Sequence, residues 1–148
     1  MGLTRDVFHM TRGEGKLFVD SARGRTRVVV AIIFLFAAGL HFTATDTEVR
    51  LMPRWLPLQR ELVYASGIAE IIGAVGLLVP RTYRAAGWWL ALLLLAVFPA
   101  NINHTITQVQ MGGFMDTRLY HWLRLPLQPV FIAVVLWATA KRRAVSSR

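Results

Sequence analysis

The chain has 148 residues, 55% of them hydrophobic, a formal net charge of +9 and no cysteine. That length limits it to one domain, and the apolar content exceeds what a soluble domain of this size can bury. The missing thiols exclude disulfides, thiolate metal sites and thiol redox chemistry. The positive charge sits beside apolar runs rather than along a polar face, which sets nucleic acid aside as a partner.

Residues 1–25 read as a cytoplasmic N-terminal tail, whose Val7, Phe8, Leu17 and Phe18 suit the surface of a bilayer. They do not read as a cleaved leader. The stretch Gly39-Leu40-His41-Phe42-Thr43-Ala44 offers no small-x-small pattern, and Asp6 stands where a myristoylation signal needs Ser or Thr.

Four apolar segments follow, over residues 28–42, 62–79, 85–99 and 122–140. The third continues helically through Asn101 and His104 toward Gln108. A bilayer crossing takes about 20 residues at a rise of about 1.5 Å each. These runs are slightly short, as expected if polar helix ends lie inside a bundle. The expected fold is therefore an all-α membrane protein, a four-transmembrane-helix bundle over residues 26–140, with a basic tail over 141–148. Counting Lys and Arg assigns 12 to the side holding both termini and the loop with Arg81 and Arg84. The other side holds five, offset by Asp46, Glu48, Glu61 and Asp116. Both termini are therefore expected to be cytoplasmic, in a multi-pass protein of the cytoplasmic membrane.

Polar groups within a bilayer are costly and mark bundle interiors and sites. His41 ends the first span, Glu70 lies in the second, Asn101 and His104 end the third, and Arg124 and Gln128 begin the fourth. In the expected topology all of them fall in the outer half, whereas the inner half is aliphatic and aromatic. Ser66, Glu70 and Gly73 share one helical face, so Glu70 is expected to point at neighbouring helices rather than lipid. Pro99, Pro126 and Pro129 interrupt backbone hydrogen bonding at the same level. The candidate ligand-binding residues are thus His41, Glu70, Asn101, His104, Arg124 and Gln128. No spaced motif supports a metal, a phosphate loop or a catalytic triad, and no catalytic residue is assigned. A structural reading makes Glu70 and Arg124 an internal ion pair, with the other groups as hydrogen-bonding adhesion between helices.

Five motifs recur in order through the chain. They are Gly39-Leu40-His41-Phe42, Met52-Pro53-x-Trp55-Leu56-Pro57, Ser66-Gly67-Ile68-Ala69-Glu70-Ile71-Ile72-Gly73 running on to Leu77-Leu78-Val79-Pro80-Arg81-Thr82, Phe98-Pro99-Ala100-Asn101-Ile102, and Arg124-Leu125-Pro126-Leu127-Gln128. In these the chain resembles the DoxX family of small bacterial membrane proteins over roughly residues 28–140. The resemblance implies a four-helix bundle, and a link to redox complexes through a subunit associated with thiosulfate:quinone oxidoreduction. The motif residues include His41, Glu70, Asn101, Arg124 and Gln128, but not His104. The leading expectation is a membrane subunit of an oxidoreductase system with a polar pocket for a quinone-like or other small ligand and no covalently bound cofactor. There His41 and Glu70 exchange protons, while Arg124, Asn101 and Gln128 hold the carbonyl oxygens. A second protein subunit must then deliver electrons. The alternatives are a non-catalytic scaffold subunit, whose polar cluster is structural, and a small module that binds lipid or solute.

Overall fold

The computed structural model describes residues 21–107 and 117–141, apart from the side chains of Arg118, Tyr120, His121 and Arg124. The expected tails over 1–25 and 141–148 thus lie almost wholly outside the described residues, as does Gln108. What is described is helical throughout, with no strand among those residues. Helix α1 spans Ala22–Thr43, α2 Thr45–Leu51, α3 Gln59–Leu78, α4 Tyr83–Thr107 and α5 Arg118–Thr139.

Local chemistry explains where the helices start and stop. Ser21 caps α1, its hydroxyl oxygen accepting from the Gly24 amide at 3.0 Å. At Ala44 the backbone leaves helical geometry, and the chain turns into the seven-residue α2. The Thr45 hydroxyl donates to the His41 carbonyl at 2.7 Å across this bend. Asp46 and Glu48 lie in the first turn of α2, where the helix dipole favours negative charge. Pro53 and Pro57 keep the following segment non-helical, and Gln59 at the start of α3 donates to the Pro53 carbonyl at 2.9 Å. Helix α3 stops before Val79-Pro80, and Thr82 donates to the Gly76 carbonyl at 2.9 Å to satisfy its last turn.

The four long helices pack in a ring, each against its neighbour in sequence, with α5 closing back on α1. Neighbours run antiparallel. The start of α1 meets the end of α5, where Arg23 donates to the Ala140 carbonyl at 3.2 Å and stacks its guanidinium 5.4 Å from the Trp137 ring centroid. The core lies toward this terminal end and comprises Val30, Phe34, Ala74, Leu77, Leu90 and Val135 with neighbouring alanines. Large apolar side chains such as Ile32, Phe36, Ile72 and Leu92 point outward and are exposed. A soluble bundle would present its polar faces there.

Three helices, α1, α3 and α4, are long and apolar enough to cross a membrane. In α5 the continuous apolar part is the shorter Leu125–Thr139, because Arg118, His121 and Arg124 occupy its first turns. The short helix α2 was not anticipated. It sits as a cover over the end of the bundle opposite the termini, fixed by Asn103 of α4 donating to the Leu51 carbonyl at 2.8 Å. An exposed ion pair between Asp46 and Arg60 ties it to α3 as well.

Candidate functional site

Under α2, between α1, α3 and α4, lies a cavity of about 250 Å³ whose wall includes His41, Glu48, Ser66, Glu70 and Asn101. Its remaining lining is apolar, contributed by residues such as Leu40, Val63 and Val97.

Close approach of α1 and α3 builds this chamber. A Cβ at Gly67 would stand 2.9 Å from the Phe42 ring and 3.1 Å from the His41 Cβ, so only glycine admits the end of α1 at this point. One turn further along α3, Glu70 is 8% exposed and faces His41. The His41 Nε2 is 3.4 Å from the Glu70 Oε1. The other carboxylate oxygen, Oε2, and the other ring nitrogen, Nδ1, are both buried and have no hydrogen-bond partner among the described residues. An unsatisfied buried polar group costs about 1–3 kcal/mol. Both atoms belong to residues that line one cavity, so hydrogen-bonding capacity is left unused beside it.

Asn101 reaches the chamber from α4, where Pro99 sits inside the helix two residues earlier. Its amide nitrogen donates to the Gln128 Oε1 at 2.7 Å. The Gln128 amide nitrogen in turn donates to the Leu94 carbonyl. Gln128 is buried, spends both ends of its amide on α4, and is not part of the chamber wall. It therefore joins α5 to α4 and aims Asn101.

The structure thus brings His41, Glu70 and Asn101, from three helices, into the lining of one cavity and joins Gln128 to Asn101 by a hydrogen bond. His104 is fully buried on α4, away from the chamber lining. The Arg124 side chain lies outside the described residues. Glu48 is the lining residue that sequence reasoning passed over as a surface charge. Its signal was present: Thr45, Glu48 and Met52 stand at i, i+3 and i+7, the spacing of one helical face. Thr45 is buried, and Glu48 and Met52 both line the cavity. Among the described residues no three His, Cys, Asp or Glu side chains gather closely enough to hold a metal ion.

No curated protein and no solved structure matches the chain. Membership of the DoxX family, expected from five short motifs, is overturned by the family match over residues 30–141, which is to a different family. Glycines at helix contacts, prolines and tryptophans at helix ends, and polar groups turned inward recur in small bundles for packing reasons. Their order along the chain is a weaker sign of kinship than it looks. The chain belongs to the family described as Domain of unknown function (DUF8561), whose model matches residues 30–141.

Proposed function

We propose that this is a four-span membrane protein, with both termini on the cytoplasmic side, that binds a small hydrogen-bonding molecule in the chamber beneath α2. The single observation behind the binding reading is the pair of buried, unpartnered atoms, Glu70 Oε2 and His41 Nδ1, at the chamber wall. Four spans are supported by the antiparallel return of α5 along α4. Its 22 residues extend about 33 Å at helical rise. Orientation rests on the Lys and Arg asymmetry.

The chamber chemistry defines the ligand class. A carboxylate oxygen accepts, and an imidazole whose other nitrogen faces that carboxylate presents its second nitrogen as acceptor when neutral. The ligand therefore carries hydroxyl or amine donors. A quinol belongs to this class, and its oxidation would give His41 and Glu70 protons to take up. An oxidoreductase role adds a second protein subunit as the electron acceptor. Binding itself needs only this chain. The structural reading is favoured by one observation of its own, the closed relay from Asn101 through Gln128 to the Leu94 carbonyl. It accounts for the α5 side of the cluster and leaves the His41–Glu70 side to the ligand.

Hydroquinone, a small molecule with two hydroxyl donors, serves as probe for the protein in lipid nanodiscs, with binding followed by saturation-transfer NMR. Saturable binding to the native protein, weakened at least tenfold in Glu70→Gln at unchanged thermal stability, is expected. Equal binding by both forms, or none that saturates, overturns the site. For the topology, a cysteine introduced by S147C should resist a membrane-impermeant maleimide in intact cells, and one introduced by T47C should react. The reverse pattern inverts the orientation.

A further inference from the structure

A second cavity adjoins the chamber. It is a groove of about 500 Å³ between α3 and α4, walled by Trp55, Leu62, Ala65, Trp89, Leu93 and Ala96. Met52, Ser66, Val97 and Ala100 line both the groove and the chamber, so the two spaces adjoin. The two spaces differ in chemistry. The chamber holds Glu48, Glu70, His41 and Asn101, whereas the groove has almost no polar lining. Along α4 the groove runs from Trp89 to Ala100, about 16 Å at helical rise. Trp89 is fixed at its far end by donating to the Ala69 carbonyl at 2.9 Å. Ala65 and Ala96 leave the groove open to the apolar exterior of the bundle, where both residues are exposed.

We propose that the ligand is a single-tailed amphiphile that enters sideways from the bilayer, its hydrocarbon tail in the groove between α3 and α4 and its polar head in the chamber at His41 and Glu70. This deepens the chamber reading and rests on it. Adjacency of the two spaces along four shared lining residues specifies the occupant: one molecule with a small polar end and a long apolar end. The charge of the chamber narrows the head. Its ionisable lining residues are Glu48, Glu70 and His41, with no Lys or Arg among the lining residues described. Two carboxylates repel a phosphate or a fatty-acid carboxylate. The head is therefore neutral or cationic and a hydrogen-bond donor, such as a quinol, a monoacylglycerol or a long-chain amine.

The test uses the full chain in nanodiscs with two probes, hydroquinone and hydroquinone carrying a 10-bromodecyl tail. The bromine quenches nearby tryptophan fluorescence, so quenching lost in Trp89→Phe locates the tail. The groove is filled by Ala65→Phe with Ala96→Phe, both at exposed positions that leave the core untouched. The expected result is that groove filling weakens the tailed probe at least tenfold and spares hydroquinone, while Glu70→Gln weakens both. Partition into the bilayer is common to all forms and cancels. Groove filling that leaves the tailed probe unchanged, while Glu70→Gln still weakens both, overturns the amphiphile and keeps the chamber. Indifference of both probes to Glu70→Gln removes the chamber and the amphiphile with it. Loss of both probes on groove filling also overturns the proposal, since the groove would then be only a wall of the chamber.

Discussion

At the end of the bundle that carries the termini, Gly87 of α4 lies so close to α5 that a Cβ there would fall 2.7 Å from the Thr139 Cβ. Gly73 of α3 meets Leu90 of α4 as tightly, at 2.5 Å from a built Cβ to the Leu90 Cγ. At the opposite end, α1 and α3 also meet closely at Gly67, but a cavity opens between α1, α3 and α4, and Glu70 Oε2 and His41 Nδ1 beside it have no hydrogen-bond partner among the described residues. Helix contact in a bilayer comes from close packing of small residues rather than from exclusion of water. The tight end therefore holds the bundle together, and the open end carries hydrogen-bonding groups that packing alone does not require. Under the proposed binding role, the contrast assigns stability and ligand binding to opposite ends of a short chain.

The largest effect is expected where the packing is closest. Gly87→Val puts a branched side chain into the space occupied by Thr139, and α4 and α5 must part. Overpacking of this kind costs about 1–3 kcal/mol and sometimes more, and the upper part of that range applies because both neighbours are on rigid helices. Thermal unfolding in mild detergent should show a large fall in midpoint, while hydroquinone binding by the fraction still folded stays native. An unchanged midpoint would mean that the two ends do not differ in how they are held.

A smaller effect is expected from Gln128→Leu, which separates the clamp from the site. It strands the Asn101 amide and removes a donor from the Leu94 carbonyl, at about 2 kcal/mol for unsatisfied buried groups. Stability should fall by that order, with hydroquinone affinity changing much less than in Glu70→Gln. Loss of binding as deep as in Glu70→Gln, at full stability, would return Gln128 to the set of ligand contacts.

Helix positions were legible because long apolar runs leave few alternatives: α3 begins three residues before its apolar segment, α1 begins six before its own, and α4 runs on to Thr107 along the continuation expected through Asn101 and His104. That His41, Glu70 and Asn101 line one cavity was legible from depth together with the helical face Glu70 shares with Ser66 and Gly73: in an antiparallel bundle, inward-facing residues at equal distance from the same ends come together. Three things were not. Helix α2 is too short to produce a sustained period, so Glu48 looked like an ordinary surface charge. The division of labour within the polar cluster depends on side-chain direction, which put Gln128 on the Leu94 carbonyl and His104 into the core rather than the chamber. Kinship was misjudged because residues that bundle packing selects were treated as inherited. Gly39 shows this most clearly. It opens the first of the five motifs, yet a Cβ there would meet nothing within 4 Å.

Gly39 also supplies the smallest expected effect and the sharpest control on the contrast between the ends. Unlike Gly67, Gly73 and Gly87, it lies on an exposed face of α1, so Gly39→Ala meets no neighbour and removes the backbone freedom that makes glycine about 1 kcal/mol worse than alanine inside a helix. The Thr43 hydroxyl still donates to its carbonyl, which the substitution leaves in place. The unfolding midpoint should stay level or rise slightly, with hydroquinone affinity unchanged, although His41 is only two residues away. A loss of more than about 1 kcal/mol would show that this face of α1 is covered in the membrane, by a second copy of the chain or another helix. In that case the open end of the bundle would owe part of its stability to a contact outside the single chain.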